Sequence, residues 1–172
     1  MAGELQLGGS TVATHTGSGA SAVVTIDNGV AFPAGHIIQV QTAVNSTLVR
    51  TSSGSNAYVN SGLSVSITPK FNNSKIIIQH GVGSIVRQQG YYGYRIKRTG
   101  PSAIQTLPYI GYSDNSSLKG GFSYYKTFDT PNTLSACTYE VQIYVGSGVD
   151  YFWNYDSYGT IEAHLTAMEI KQ

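Results

Sequence analysis

Four histidines, nine carboxylates and a single cysteine are the residues of this chain that could do acid–base, metal or nucleophilic chemistry. His15, His36, His80 and His164 lie far apart, and no cysteine or carboxylate pair completes a zinc-binding spacing around them. The sequence therefore predicts no metal and no other cofactor. It places His80 and His164 on strands, as interior or interface residues. Among the carboxylates, Asp150 and Asp156 are expected to share one aromatic-rich loop. A pair facing each other across a cleft would suit glycoside hydrolysis, but turn residues bonding their own backbone is the preferred reading. Cys137 lies in no motif that would activate a thiolate, and as the only cysteine it forms no intrachain disulfide. The sequence holds no nucleophile elbow, phosphate loop or dinucleotide fingerprint. The expectation is a protein that is not an enzyme.

What remains is contact chemistry. Tyr151, Phe152, Trp153, Tyr155 and Tyr158 put five aromatics into eight positions. Tyr91-Tyr92, Tyr94, Tyr109, Tyr112 and Tyr124-Tyr125 add more. Such side chains offer rigid area with a polar tip, which suits sheet packing, subunit contact and sugar stacking alike. All three readings stay open, and the stretch Tyr151–Tyr158 is the candidate interface or glycan platform. Arg95, Lys97 and Arg98, with Arg87 nearby, form the densest basic patch and are read as the solvated face of one strand. The formal net charge of +1 gives no clustered basic field for nucleic acid.

The elements that would position these residues are strands. Charged residues make up 11% of the 172-residue chain, well below the roughly 25% usual in soluble domains. Twenty glycines and thirteen tyrosines favour pleated surfaces and tight turns. Leu63, Val65 and Ile67 alternate with Ser64, Ser66 and Thr68, and Tyr139, Val141, Ile143 and Val145 alternate with Glu140, Gln142 and Tyr144. Ile76-Ile77-Ile78 reads as a strand covered on both faces. Further strands are expected at Ala22–Ile26, His36–Val49, Lys75–Val86, Tyr91–Arg98, around Ile104–Leu107, and at Gly121–Phe128 and Ile161–Ile170. About nine strands with Gly, Pro and Asn turns predict an all-β, single antiparallel β-sandwich. A jelly-roll-like arrangement of eight strands fits better than an immunoglobulin-like one.

The small, polar segment 1–21 is expected to be an extended N-terminal arm, with Leu5, Leu7 and Val12 as its partner-binding residues, and 22–172 to be the sandwich. Met-Ala-Gly-Glu opens no signal peptide, and no apolar run reaches membrane-spanning length, so no membrane is expected.

Several blocks carry a resemblance. Tyr58-Val59-Asn60-Ser61-Gly62-Leu63 runs to Thr68-Pro69, and Ser74-Lys75-Ile76 opens the next strand. Phe128-Asp129-Thr130-Pro131 leads into Thr138-Tyr139-Glu140, Leu165–Ile170 closes the chain, and Phe32-Pro33-Ala34-Gly35-His36 enters it. In order and spacing over about Val30–Ile170, these resemble virion structural proteins of tailed phages of marine bacteria and cyanobacteria. The resemblance implies a β-sandwich module, commonly trimeric, on tail fibres, head fibres or capsid decorations. The expected function is that of a virion protein decorating or cementing the capsid as a homotrimer. Its partners would be itself and the major capsid protein or another virion protein. It would be made in the bacterial cytoplasm and released by lysis. The alternative is a tail-fibre tip that binds a receptor or a host surface glycan.

Overall fold

The computed structural model describes residues 3–7, 10–17, 23–26, 32–47, 49–52, 57–87, 90–100, 106–113, 119–145, 150–153 and 162–172. All regular structure among them is strand, and every pairing is antiparallel. The chain divides into two compact units, Met1–Pro33 and Ala34–Gln172.

In the first unit, β1 (Gly3–Leu7), β2 (Ser10–Thr16) and β3 (Val23–Ile26) form a sheet in that order. Gly3 lies opposite His15, and Ala13 opposite Ile26. The division falls after Pro33 rather than at 21/22, because β3 pairs with β2.

The second unit contains β4 (Ile37–Asn45), β5 (Val49–Ser52), β6 (Ala57–Ile67), β7 (Lys75–Arg87), β8 (Gly90–Thr99), β9 (Thr106–Ser113), β10 (Lys119–Asp129), β11 (Cys137–Val145), β12 (Asp150–Trp153) and β13 (Ala163–Ile170). One sheet is built on β7. β10 runs along one side of it, from Asp129 opposite Ile76 to Lys119 opposite Val86. On the other side β13 pairs with Lys75–Gly81, and β12 continues along the same edge from Ser84 to Arg87. β12 and β13 thus form one strand line, interrupted between Trp153 and Ala163. Beside it, β4 and β5 form another: Asn45 faces Ala163 and Val49 faces Trp153. The other sheet has the order β6-β11-β8-β9.

Numbered along the chain with interrupted pairs counted once, the strand lines of the β7 sheet run first, eighth, third, sixth. Those of the other sheet run second, seventh, fourth, fifth. Two expectations shift accordingly. The long strand His36–Val49 is broken after Asn45, and Asp150–Trp153, expected in a loop, is a strand between β7 and β5.

The alternating residues form the core. Leu63, Val65 and Ile67 of β6, Tyr94 and Ile96 of β8, and Tyr139, Val141 and Ile143 of β11 line one layer. Ile76, Ile78 and Val82 of β7 and Ala163, Leu165 and Ala167 of β13 line the other. Full burial of an aliphatic side chain stabilises by about 1.5–3 kcal/mol, so this seam dominates the unit's stability.

β6 bends where Gly62 adopts φ +75°. There Ser61, Gly62 and Leu63 face the single residue Val141 across β11. Ser61 Oγ donates to the Val141 carbonyl at 2.7 Å and accepts from Leu63 N at 3.2 Å, and Asn60 Oδ1 accepts from Gly62 N at 2.7 Å. Such a bulge needs a residue free of Cβ crowding and a side chain to satisfy the displaced backbone.

Candidate functional site

Polar groups inside the second unit are held by structural partners. Arg98 and Tyr139 are cross-strand neighbours on β8 and β11, and Asp129 ends β10 in the other sheet. Arg98 Nε lies 2.9 Å from Asp129 Oδ2, and the Tyr139 hydroxyl donates to the same oxygen at 2.8 Å. Arg98 is therefore not part of a solvated basic face: it is 6% exposed and ties the two layers together. Burial first, and then the Asp129 carboxylate, hold the Tyr139 phenol protonated well above its ordinary range.

Glu169 is fully buried on β13. Its Oε1 accepts from Lys70 N at 2.8 Å, Phe71 N at 3.2 Å and Ser74 Oγ at 2.6 Å, and its Oε2 accepts from Gln39 Nε2 at 2.6 Å. These donors take the place of water around a buried carboxylate and fasten the connection between β6 and β7. His80, buried as expected, lies between Leu165 of β13 and Tyr125 of β10 in register, with the Tyr94 ring 4.8 Å away. Burial lowers its pKa from 6.5 to about 4. His164, expected as an interior or an interface residue, is not interior but exposed on the outer face of β13.

The surfaces offer more for function. On the outer face of the β7 sheet, register places Val40, Met168, Ile77 and Phe128 in one row across β4, β13, β7 and β10. The next row is Thr42, Thr166, Gln79 and Lys126, and the third is Val44, His164, Gly81 and Tyr124. Ile77 is only 8% exposed, but Val40, Val44 and Phe128 are about half exposed at 50%, 51% and 51%, and Tyr124 is 68% exposed. A Cβ on Gly81 would lie 3.9 Å from the Tyr124 ring, so that ring rests against the bare glycine.

The outer face of the β11 sheet is polar instead. The Arg95 guanidinium stands 3.8 Å over the Tyr58 ring, whose centroid is 5.1 Å from that of Tyr144. Arg95 Nε donates to Gln142 Oε1 at 2.7 Å, and Gln142 Nε2 donates to Glu140. Further along, Ser66 and Thr138 hydroxyls meet at 2.7 Å.

The structure puts Tyr151, Phe152 and Trp153 on β12, opposite Val86, Ile85 and Ser84 of β7. Tyr155, Tyr158 and Asp156 lie outside the described residues. Leu5 and Leu7 fall on β1 and Val12 on β2, with Leu5 exposed. Among the described residues no group of three His, Cys, Asp or Glu could hold a metal ion. Sequence reasoning missed the Arg95–Tyr58–Tyr144 cluster and the rows on the β7 sheet, because both come from strands far apart in sequence. No protein-family model matches the chain, and no curated protein is similar to it in sequence.

Proposed function

We propose that this chain is a structural protein of a tailed-phage virion, decorating or cementing the capsid as a homotrimer without catalysing a reaction. Its second unit is read as a jelly-roll β-sandwich, a reading supported by the strand-line orders first-eighth-third-sixth and second-seventh-fourth-fifth. Segment 1–21 is read as the arm that engages the major capsid protein or another virion protein. The observation that carries the assembly reading is the apolar row Val40, Met168, Ile77 and Phe128 on the outer face of the β7 sheet, with Val44 and Tyr124 exposed two rows away, on a chain whose interior polar groups serve the fold. Exposed apolar surface of that extent is characteristic of interaction sites.

The test is immunogold electron microscopy of particles from the lysate in which the protein is made. Label on the heads supports decoration, and particles without label refute it. A second reading, a fibre tip that binds host glycan, is favoured by the Arg95–Tyr58–Tyr144 cluster, whose aromatic and amide groups suit sugar recognition. Label on the tail would favour that reading.

A further inference from the structure

We infer that the outer face of β6, β11 and β8 binds a carboxylate-bearing glycan, and that the Arg95 guanidinium takes the sugar's carboxylate. This rests on the glycan reading above and adds the class of sugar and the residue that selects it.

Arg95 starts on β8, and its guanidinium ends over Tyr58 of β6, across the intervening strand β11. Two contacts hold it in that span. Its guanidinium carbon lies 3.8 Å from the centroid of the Tyr58 ring, and Gln142 Oε1, on β11, accepts from Nε at 2.7 Å. Gln142 is itself oriented by Glu140, which accepts from its Nε2. With Nε engaged, the N–H groups of the two terminal nitrogens remain, and among the described residues nothing accepts from them. A guanidinium held at Nε and over a ring presents those N–H groups as a preformed fork, the geometry that a planar carboxylate fits. Its long side chain is already ordered, so a ligand gains the contact without that cost.

The charge of the face suits an anion. Among the described residues it carries Arg95 and Lys97 against Glu140 alone, and no carboxylate pairs with either cation. The neighbouring groups suit a sugar rather than a protein. The core of a protein interface is apolar and poor in charge. Here the rows around Arg95 hold the amides of Asn60 and Gln142 and the hydroxyls of Ser64, Ser66 and Thr138. The Tyr144 ring, partly exposed and 5.1 Å from that of Tyr58, gives the apolar side of a sugar a surface to lie on.

The test is affinity electrophoresis of the full chain through gels holding polygalacturonate, its methyl ester or poly-L-glutamate. The ester keeps the sugar and loses the charge, whereas the glutamate polymer keeps the carboxylates and loses the sugar. The expected result is retardation by polygalacturonate, with the other two polymers bound at least about tenfold more weakly. Arg95→Lys keeps the charge but not the fork, and should weaken polygalacturonate binding by a similar factor. Circular dichroism checks that the variant stays folded. If it does not, Ser64→Glu, at an exposed position of the same face, decides the question by adding a charge that repels the polymer. Equal binding of the acid and its ester, or of wild type and the folded variant, overturns this inference and leaves the glycan reading standing. So does equal binding of poly-L-glutamate, which would mark the face as a site for acidic peptide. No binding to polygalacturonate also overturns it. A chain that in addition binds no sugar on an array of bacterial glycans overturns the glycan reading with it.

Discussion

Acidification should loosen the sandwich through His80. In the folded chain this imidazole is enclosed by Tyr94, Tyr125 and Leu165, and burial lowers its pKa from 6.5 to about 4. In the unfolded chain it takes up a proton near its ordinary pKa. Between those two values the unfolded state binds more protons, so stability falls as the pH falls from about 6.5 and levels off below about 4. Each pH unit in that window removes about 1.4 kcal/mol, so the loss accumulates to about 3 kcal/mol. The assay is urea unfolding at steps from pH 7 to pH 4, for wild type and for His80→Gln. The variant starts less stable, because it changes a packed ring, but its curve should be flatter by about one proton. Parallel curves for the two proteins would refute the reasoning, as would an imidazole resonance that titrates near 6.5 in the folded protein.

Further outcomes follow from the other buried groups and from the first unit. Arg98→Met leaves the Asp129 carboxylate without its cation and should cost about 3–5 kcal/mol in urea unfolding, whereas Tyr139→Phe removes one hydrogen bond and should cost about 1–3 kcal/mol. Because the folded Tyr139 stays protonated above its unfolded pKa of 10, wild type should lose stability as pH rises past that value, and Tyr139→Phe should lose less. Glu169→Ala strips Lys70 N, Phe71 N and Ser74 Oγ of their shared acceptor, and should both lower stability by several kcal/mol and open the 68–74 connection to proteolysis. Deleting residues 1–21 should leave a folded sandwich by circular dichroism that no longer binds particles in a sedimentation assay, and retained binding would defeat the arm reading.

Much of the fold was legible because a strand with one buried face writes its period into sequence. Tyr139, Val141 and Ile143 are all fully buried, while Glu140, Gln142 and Tyr144 are partly exposed. Ile76-Ile77-Ile78 was legible for a different reason: Ile77, on the outer face, is covered by its register neighbours Met168 and Phe128. Other features were not local enough to read. The break after Asn45 and the strand Asp150–Trp153 depend on a partner line interrupted at the same height. Arg98 looks like a surface cation in the string Arg95-Ile96-Lys97-Arg98, and only the arrival of Asp129 from the other sheet makes its burial tolerable. The exposed apolar rows are similarly invisible, since each of their residues comes from a different strand.

The blocks that carried the resemblance meet one another in space. Ser61-Gly62 builds the bulge of β6 against Val141. Ser74, at the opening of β7, bonds Glu169 in the closing block, and the connection after Thr68-Pro69 is held by that same carboxylate. Asp129, beside Pro131, meets Tyr139. His36 accepts from Lys171 N at 3.0 Å, which joins the entry of the second unit to its end. Each block therefore answers a demand of the backbone: a bend, a capped turn, a paired buried charge, a closed edge. Such residues specify the sandwich whatever its outer faces do. Val40, Val44 and Tyr124 lie outside every block, on an outer face of the β7 sheet to which the blocks contribute Phe128 and Met168.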